Sequence, residues 1–309
     1  EKLLKIDAHI NLSGVRIDNS IEKEVVALGR GKYDRVIYLG GELFPKSLWS
    51  HWTSENKFYS FYLRVKQKLQ GKKRYFIELE TNRSLSISIG MQKISRKDLE
   101  LIKLLKSFEF LGVRDKKTYS NCIELGLDPT LVPDLALIIP KIIEKNNFSN
   151  KQYGVFHFNE KYLTTNYDDA REIITYYQLE YDIQTIVQNM ANCIGHDSVS
   201  LSKKIANDTG SSFEGASNIE DITNRLAFAK FYVGNSFHGG LVSGAYGGDV
   251  GWIDAHGEKL KNLSDMYDIP IIDASNMNKT KLKKLSGDYI VKLEKYLKVI
   301  GILDERYNS

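Results

Sequence analysis

The segment FYVGNSFHGGLVSGAYG at 231–247 decides how the fold of this chain is interpreted. Its apolar residues from Phe231 to Val233 are typical of a buried strand, and they give way to Gly234-Asn235-Ser236. A helix can begin at the glycines that follow His238, so the segment predicts a strand that runs directly into a helix. The first turn of such a helix has N–H groups without intrahelical partners and the positive end of the helix dipole, which suits it to bind an anion. A histidine at that place can act as a general acid or base near neutral pH.

Short apolar runs alternate with segments of helical periodicity through the rest of the chain, which predicts an α/β fold with mostly parallel sheets. A polar stretch at 144–152 is typical of a linker, and 309 residues are more than one ordinary core needs. We therefore expect two Rossmann-like domains, 1–148 and 149–309, with a central cleft and with the last helix packed back on the first domain. The predicted strands cover 33–41, 85–90, 108–115, 153–159, 182–189, 250–254 and 269–273, and the predicted helices include 98–108, 117–127 and 286–300.

Three further helices are indicated by side chains that can cap a helix. Asn166, Asp197 and Asn218 each stand directly before or close to a segment of helical periodicity, and each can accept a hydrogen bond from a first-turn N–H group. After Asn166, the apolar residues between 170 and 177 share one helical face. We expect these helices to alternate with the strands of the second domain.

The composition excludes several classes of protein. Hydrophobic residues make up 42% of the chain and charged residues 27%, as in ordinary globular proteins, and a net charge of +4 does not suggest a nucleic-acid partner. No run of 18 apolar residues predicts a transmembrane helix, and the first residues lack the apolar core of a signal peptide. Cys122 and Cys193 fit neither a metal site nor a disulfide framework. We expect a cytoplasmic protein without a metal site.

Polar residues and glycines stand at the ends of the predicted strands. In open α/β sheets, ligands bind outside the carboxyl ends of the strands, so these residues are expected to line one crevice. Structural roles are the alternative: a local ion pair of Arg114 with a helix-capping Asp115, a turn at the glycines and, as the favoured interpretation of these two residues, a solvated Lys259 and an Asp134 that holds the loop after Pro133. The candidates are Gly40, Gly41, Arg114, Asp115, His157, Asn159, Asn235, Ser236, His238, Asp254, His256 and Lys259.

Several of these residues lie in motifs whose order resembles the polysaccharide pyruvyl transferase family. The motifs are YDRVIYLGGELF at 33–44, LGVRDKKTYSNCIELGL at 111–127 followed by LVPDLAL, YGVFHFN at 153–159, and the histidine segment that continues to Lys259. Together they span roughly residues 33–263 of the chain. The resemblance implies two Rossmann-like domains similar to B-type glycosyltransferases, with the acceptor on the first domain and the donor on the second.

The same resemblance implies a reaction and assigns residues to it. A pyruvyl group passes from phosphoenolpyruvate, as co-substrate and without a further cofactor, to a sugar of a capsule, exopolysaccharide or cell-wall glycan, where it forms a cyclic ketal. The acceptor is then a glycan or a lipid-linked oligosaccharide. In this assignment His238 and Arg114 are the catalytic residues, and Arg114 holds the donor. Donor contacts are expected from Asn235, Ser236, Gly239 and Lys259, and Gly40, Gly41, Asp115 and His157 are expected to line the cleft.

The reaction needs groups that this chain offers. Cations and N–H groups must hold the carboxylate and phosphate of the donor, an acid must protonate its vinyl carbon, and a base must accept protons from two sugar hydroxyls. His238 can exchange these protons, Arg114 can bind an anion bidentately, and Gly239 lets the backbone approach a phosphate.

Two features differ from the family pattern. Several members have arginine two residues before the histidine, where this chain has Ser236, and the Gly-Asn-X-Gly-Asp segment of the first strand–helix turn is not evident. A glycosyltransferase that uses a nucleotide sugar is therefore an alternative, and a non-catalytic glycan-binding module is another.

A basic and aromatic stretch at 49–74 contains seven Lys or Arg residues together with Trp, Phe and Tyr. Such stretches can lie on anionic membranes, which predicts a peripheral contact with the inner face of the membrane. The alternative, which we favour, is a helix that packs its aromatic residues on the core and keeps its lysines in water.

Overall fold

The computed structural model describes residues 36–39, 84–91, 96, 99–143, 153–191, 197–216, 218–254 and 259–301. Contacts within the chain define two units that divide between Asp134 and Leu135. The sequence predicts the division after residue 148. A 3₁₀ turn at Leu135–Ile138 packs on the last helix and on the helix that follows Ser236, and so belongs to the second unit by its contacts.

The first unit contains a parallel sheet of four strands in the order β1-β2-β3-β4. β2 is buried along its whole length, as is typical of a strand with both faces covered in a parallel sheet. The core between sheet and helices is formed by Ile89, Leu105, Leu111, Val113 and Cys122 with their neighbours. Among the residues of this unit that the structure describes, the strands are β1 Val36–Leu39, β2 Ser84–Ile89, β3 Phe108–Val113 and β4 Pro129–Leu131, and the helices are α1 Leu99–Lys106 and α2 Lys116–Glu124.

The second unit contains a sheet of six strands in the order β10-β9-β8-β5-β6-β7. All neighbours pair in parallel except β10, which is antiparallel to β9 at one edge. The strands are β5 Tyr153–His157, β6 Thr185–Asn189, β7 Ser212–Gly215, β8 Ala229–Gly234, β9 Asp249–Trp252 and β10 Lys283–Lys284. The helices in the described parts of this unit are α3 Ile139–Ile142, α4 Glu160–Thr165, α5 Tyr167–Tyr181, α6 Val199–Thr209, α7 Ile219–Phe228, α8 Phe237–Ala245, α9 Lys259–Tyr267 and α10 Asp288–Val299.

Aromatic side chains pack together within the core of the second unit. The rings of Phe156 and Phe231 meet edge to face with centroids 5.6 Å apart, and Tyr177 from α5 packs on both. Burial of each such side chain contributes about 1.5–3 kcal/mol. Gly154 makes this packing possible, because a Cβ at that position would overlap the ring of Phe231. The predicted inner face of α5 is confirmed, since Ala170, Ile173, Ile174 and Tyr177 are all buried.

Local patterns located most of the elements but missed others. The strand predicted at 269–273 is wrong: only Ile271 forms an isolated bridge, with Trp252, and the chain then turns because Asp273 accepts a hydrogen bond from the N–H of Ser275. The strands β4, β7 and β10 were not predicted, because each has four residues or fewer and no apolar alternation. Gly40, Gly41, His256 and the stretch 49–74 lie outside the described residues.

The three predicted helix caps had different outcomes. Asn218 caps α7, because its side chain accepts the N–H of Asp221 at 2.9 Å. Asn166 precedes α5 without a side-chain bond to that helix. The prediction for Asp197 is wrong, because Ser198 is the cap of α6 and the carboxylate of Asp197 faces the sheet instead.

In the described ranges, which omit among others 40–83 and 144–152, no helix combines the length and the apolar content needed to cross a bilayer.

Candidate active site at the start of helix α8

The carboxyl ends of three neighbouring strands meet at the start of α8. His157 of β5 is in register with Gly234 of β8, and Gly234 is in register with Trp252 of β9. Asn235 follows β8 and joins the loops on both sides: its Oδ1 accepts the N–H of Asn159 at 3.0 Å, and its Nδ2 donates to the carbonyl of Ile253 at 2.9 Å. The predicted donor contact Asn235 therefore holds together three loops at this edge of the sheet.

Ser236 is the N-cap of α8. Its backbone is extended, with φ −86° and ψ 117°, and its Oγ accepts the N–H of Gly239 at 3.1 Å. Its carbonyl accepts the N–H of Gly240, also at 3.1 Å. The residue in the position of the family's arginine thus satisfies two early N–H groups of its own helix.

The paired glycines of the motif lie against the sheet. A Cβ at Gly239 would be 2.7 Å from the hydroxyl oxygen of Tyr232, and a Cβ at Gly240 would overlap the indole of Trp252. Both glycines are buried. They allow close packing of helix on sheet, which is the role of glycine at many strand-to-helix junctions of this fold class. The predicted contact of Gly239 with the donor stays a prediction.

His238 is the second residue of α8 and its side chain is exposed. The neighbouring Phe237 is buried, with its ring 5.4 Å from that of Trp252 and 6.0 Å from that of Tyr267. Because Phe237 anchors the first turn to the core, the imidazole of His238 lies on the solvent side of that turn. It combines proton-transfer chemistry with the positive end of a helix dipole.

His157 has the opposite environment. Its side chain is only 4% exposed, and its Nε2 lies 2.9 Å from Oδ2 of Asp197, a carboxylate that is 2% exposed. The same oxygen accepts the N–H of Met190 at 2.7 Å. The structure therefore places the predicted cleft residue His157 inside the protein, where it is held by a residue that sequence reasoning had assigned to a helix cap.

Tyr232 connects His157 to the start of α8. Its hydroxyl oxygen lies 3.4 Å from Nδ1 of His157 and 3.3 Å from both the nitrogen and the carbonyl oxygen of Ser236. Burial raises the pKa of Tyr232 well above its usual range, so the hydroxyl stays protonated at any ordinary pH. The only feature of the sequence that points to this role is the hydroxyl of Tyr232, a polar group within the apolar run Phe231 to Val233.

Arg114 and Asp115 belong to the first unit, at the end of β3. The side chain of Arg114 is 4% exposed, with Nη1 3.6 Å from Oδ2 of the equally buried Asp134, and its guanidinium lies over Gly90. Asp115 caps α2 by accepting the N–H and the hydroxyl of Thr118, each at 2.8 Å. The capping role expected for Asp115 matches these contacts, whereas, among the described residues, the ion pair of Arg114 is formed with Asp134 and not with the neighbouring Asp115 as expected.

The remaining candidates carry little structural information. Lys259 is the first residue of α9. Within the part of the chain that the structure describes, no cluster of three or more His, Cys, Asp or Glu side chains is arranged to hold a metal ion. The prediction that the protein needs no metal stays a prediction.

Comparisons with known proteins bear on both family and fold. A family profile described as polysaccharide pyruvyl transferase matches residues 2–255. A comparison with curated protein sequences finds no significant match. Among solved structures, a UDP-GlcNAc 2-epimerase from Methanocaldococcus jannaschii is 11% identical with a TM-score of 0.54, over 92% of this chain and 82% of that one. A protein described as a putative UDP-N-acetylglucosamine 2-epimerase from Listeria monocytogenes is 11% identical with a TM-score of 0.51, over 91% and 69%.

At 11% sequence identity, these structural similarities show the fold alone. They confirm the predicted α/β class with Rossmann-like units of the kind found in B-type glycosyltransferases.

Proposed function

Because this chain belongs to the polysaccharide pyruvyl transferase family, we propose that it transfers a pyruvyl group from phosphoenolpyruvate to a sugar of a surface polysaccharide or of its precursor. Membership of the family makes the chain a transferase. Beyond membership of the family, we propose three things: the identity of the donor, the glycan acceptor and the residues that take part in the reaction. The observation that carries it is an exposed histidine, His238, in the first turn of a helix at the carboxyl edge of a parallel sheet.

The chemistry follows from what such a place offers. The imidazolium of His238 gives its proton to the methylene carbon of phosphoenolpyruvate, and a sugar hydroxyl oxygen bonds to the neighbouring carbon as that carbon gains positive charge. Phosphate then leaves with the electron pair of its C–O bond, and a second hydroxyl closes the ketal. The neutral imidazole accepts the proton of one hydroxyl and is ready for another cycle, and the departing phosphate takes the proton of the other. The products are the ketal and inorganic phosphate.

The positive end of α8 supports binding of the anionic donor beside His238. Ser236 already accepts the N–H of Gly239 through its hydroxyl and the N–H of Gly240 through its carbonyl, so we assign it to holding the helix rather than the donor. The assignment of Arg114 and Lys259 to the donor stays a prediction. A donor anion would have to compete with Asp134 for the guanidinium of Arg114.

The test is incubation of the protein with phosphoenolpyruvate and candidate glycans. We expect mass spectrometry to find the mass gain of one pyruvyl ketal on an acceptor, with release of one inorganic phosphate for each ketal. His238→Ala should lower the rate by about 10²–10⁴-fold, as expected for loss of a general acid and base. Since the side chain is exposed, the free energy of unfolding should change by less than about 0.5 kcal/mol.

Glu172→Gln is the matched control, because it changes an exposed side chain in the middle of α5. It should leave both rate and stability unchanged. Full activity of His238→Ala would refute the mechanism, and absence of ketal with every acceptor tried would count against the donor.

A second candidate is a transferase that uses a nucleotide sugar. Ser236, a helix cap at the position where family members have arginine, favours it, because one donor anchor of the family is replaced. Calorimetry separates the two: binding of phosphoenolpyruvate without binding of UDP-N-acetylglucosamine supports the first proposal, and the reverse supports the second.

A further inference from the structure

Behind the first turn of α8 lies a hydrogen-bonded series of three buried polar side chains. It runs from Asp197 to His157 and from His157 to Tyr232, which contacts the backbone of Ser236. We propose that Asp197, His157 and Tyr232 are positioning residues that fix the start of α8 and thereby the place of His238. This inference rests on the function proposed for His238, and it adds residues that touch neither donor nor acceptor.

The direction of the hydrogen bonds follows from the chemistry of the groups. A carboxylate only accepts, so Nε2 of His157 donates to Asp197, as does the N–H of Met190. In the neutral imidazole, Nδ1 is then an acceptor, and the hydroxyl of Tyr232 has one proton to donate, either to Nδ1 at 3.4 Å or to the carbonyl of Ser236 at 3.3 Å. The N–H of Ser236 donates to the same hydroxyl oxygen. Asp197 thus sets the tautomer of His157, and Tyr232 joins His157 to both backbone groups of Ser236.

The location of Tyr232 explains why this hydroxyl matters to His238. A Cβ at Gly239 would lie 2.7 Å from that oxygen and 2.9 Å from the ring carbon that bears it, so Tyr232 lies directly beneath the first turn. Its oxygen contacts Ser236, two residues before His238. A shift of the tyrosine hydroxyl would therefore move the cap and the histidine together.

Packing alone gives no reason for these polar groups. Tyr232 is fully buried between Phe231 and Val233, where phenylalanine would fill nearly the same volume. Burial of a carboxylate and an imidazole costs free energy unless their hydrogen bonds are made, and fully satisfied buried networks fix one arrangement of the chain. The network is therefore better explained by the geometry it imposes than by stability.

The first test compares Tyr232→Phe with Tyr177→Phe. Both remove the hydroxyl of a buried tyrosine in the same unit, but among the described residues the hydroxyl of Tyr177 has no hydrogen-bond partner. We expect Tyr232→Phe to lower kcat by about 10- to 100-fold with KM for phosphoenolpyruvate unchanged, since a misplacement near 1 Å can have that effect. Tyr177→Phe should keep the kcat of the wild type.

The second test asks whether Asp197 acts through Tyr232. Asp197→Leu keeps the size of the side chain but has no acceptor, and it should lower kcat about as much as Tyr232→Phe. Asp197→Asn retains an oxygen for both N–H groups and should restore most of the rate. The double variant Asp197→Leu with Tyr232→Phe should be no slower than either single variant, because residues of one network are not additive. Multiplied effects would overturn the proposal.

A third measurement does not depend on the reaction. Hydrogen exchange at the amides of Gly239 and Gly240, followed without any substrate, should be faster in Tyr232→Phe than in Tyr177→Phe. If no pyruvyl transfer is found but this exchange is faster, the proposed function fails and the positioning network stands. If exchange is unchanged in Tyr232→Phe, or if kcat is, the network does not position the helix and the inference is wrong.

Discussion

The junction of β3 with α2 and the junction of β8 with α8 are built in the same way, but the polar side chain near the cap is buried at the first and exposed at the second. Each follows a parallel strand and begins a helix at a side-chain cap, Asp115 or Ser236. Each also has a buried pair of interacting side chains behind it, Arg114 with Asp134 or His157 with Asp197. At the first junction the charged residue precedes the cap and is buried with Asp134. At the second, His238 follows the cap and is exposed. The comparison teaches that the side of the cap on which the polar residue stands, one position before Asp115 or two positions after Ser236, decides whether its side chain is buried in an ion pair or exposed to solvent.

The largest expected effect concerns the buried pair of the first junction. Asp134→Ala leaves the guanidinium of Arg114 buried without its carboxylate, and we expect a loss of about 3–5 kcal/mol in the free energy of unfolding. Denaturant unfolding measures it. The double variant Arg114→Met with Asp134→Leu should be more stable than Asp134→Ala. If Asp134→Ala is as stable as the wild type, Arg114 is not locked and the contrast between the junctions disappears.

A smaller effect is expected where a glycine lies against a side chain at each junction. In Gly240→Ala the new methyl overlaps the fully buried indole of Trp252, and overpacking of this kind costs about 1–3 kcal/mol. Gain of helix propensity offsets about 1 kcal/mol of it, so the net loss is expected to be modest. In Gly90→Ala the methyl meets the terminal atoms of Arg114, which are at the end of a long side chain.

Thermal unfolding of the two glycine variants should therefore show a lower Tm for Gly240→Ala than for Gly90→Ala. The opposite order would mean that Arg114 is held more rigidly than Trp252, and that the first junction is the tighter of the two.

The smallest effects concern the caps. Ser236→Ala and Asp115→Ala should each destabilise by about 1 kcal/mol, as other cap deletions do. Asp115 should be the costlier, because it also accepts the hydroxyl of Thr118, which in turn accepts the N–H of Met91 at 2.9 Å. Equal losses would show that the link to Met91 contributes nothing.

A second readout belongs to Asp115 alone. Burial raises the pKa of the Cys122 thiol to about 12, and the negative charge of Asp115 adds to this rise. Titration of the thiolate by its absorbance should give a lower pKa for Cys122 in Asp115→Ala than in the wild type. In Ser236→Ala that pKa should not change.

Much of this fold could be predicted from local patterns. Buried strands and amphipathic helices show their own periodicity, and a cap such as Asn218 bonds an N–H group three residues away. The prediction of a strand at 269–273 was wrong, because an apolar run does not reveal whether a neighbouring strand is available for pairing along its length. Short edge strands such as β7 were not predicted, because they have no apolar alternation of their own and are fixed by pairing with the neighbouring strand β6.

The site was predictable only in part. The position of His238 in the first turn of a helix followed from the strand and glycine pattern around it. The roles of Asp197 and Tyr232 did not, because each bonds a residue 40 or 75 positions away in the chain and a carboxylate before a helix normally indicates a cap. Arg114 was recognisable as an anion ligand by type, but its pairing with Asp134 depends on a loop whose course the sequence does not reveal.

The contact between Gly240 and Trp252 has a consequence for how sequences of this kind can change. An indole that fills the space of a Cβ makes every side chain at position 240 unfavourable as long as tryptophan stands at position 252. A smaller residue at 252 would admit alanine or serine at 240, whereas the reverse order of substitutions passes through an overpacked intermediate. Among homologous chains, the two positions are therefore expected to vary together, with the change at 252 coming first.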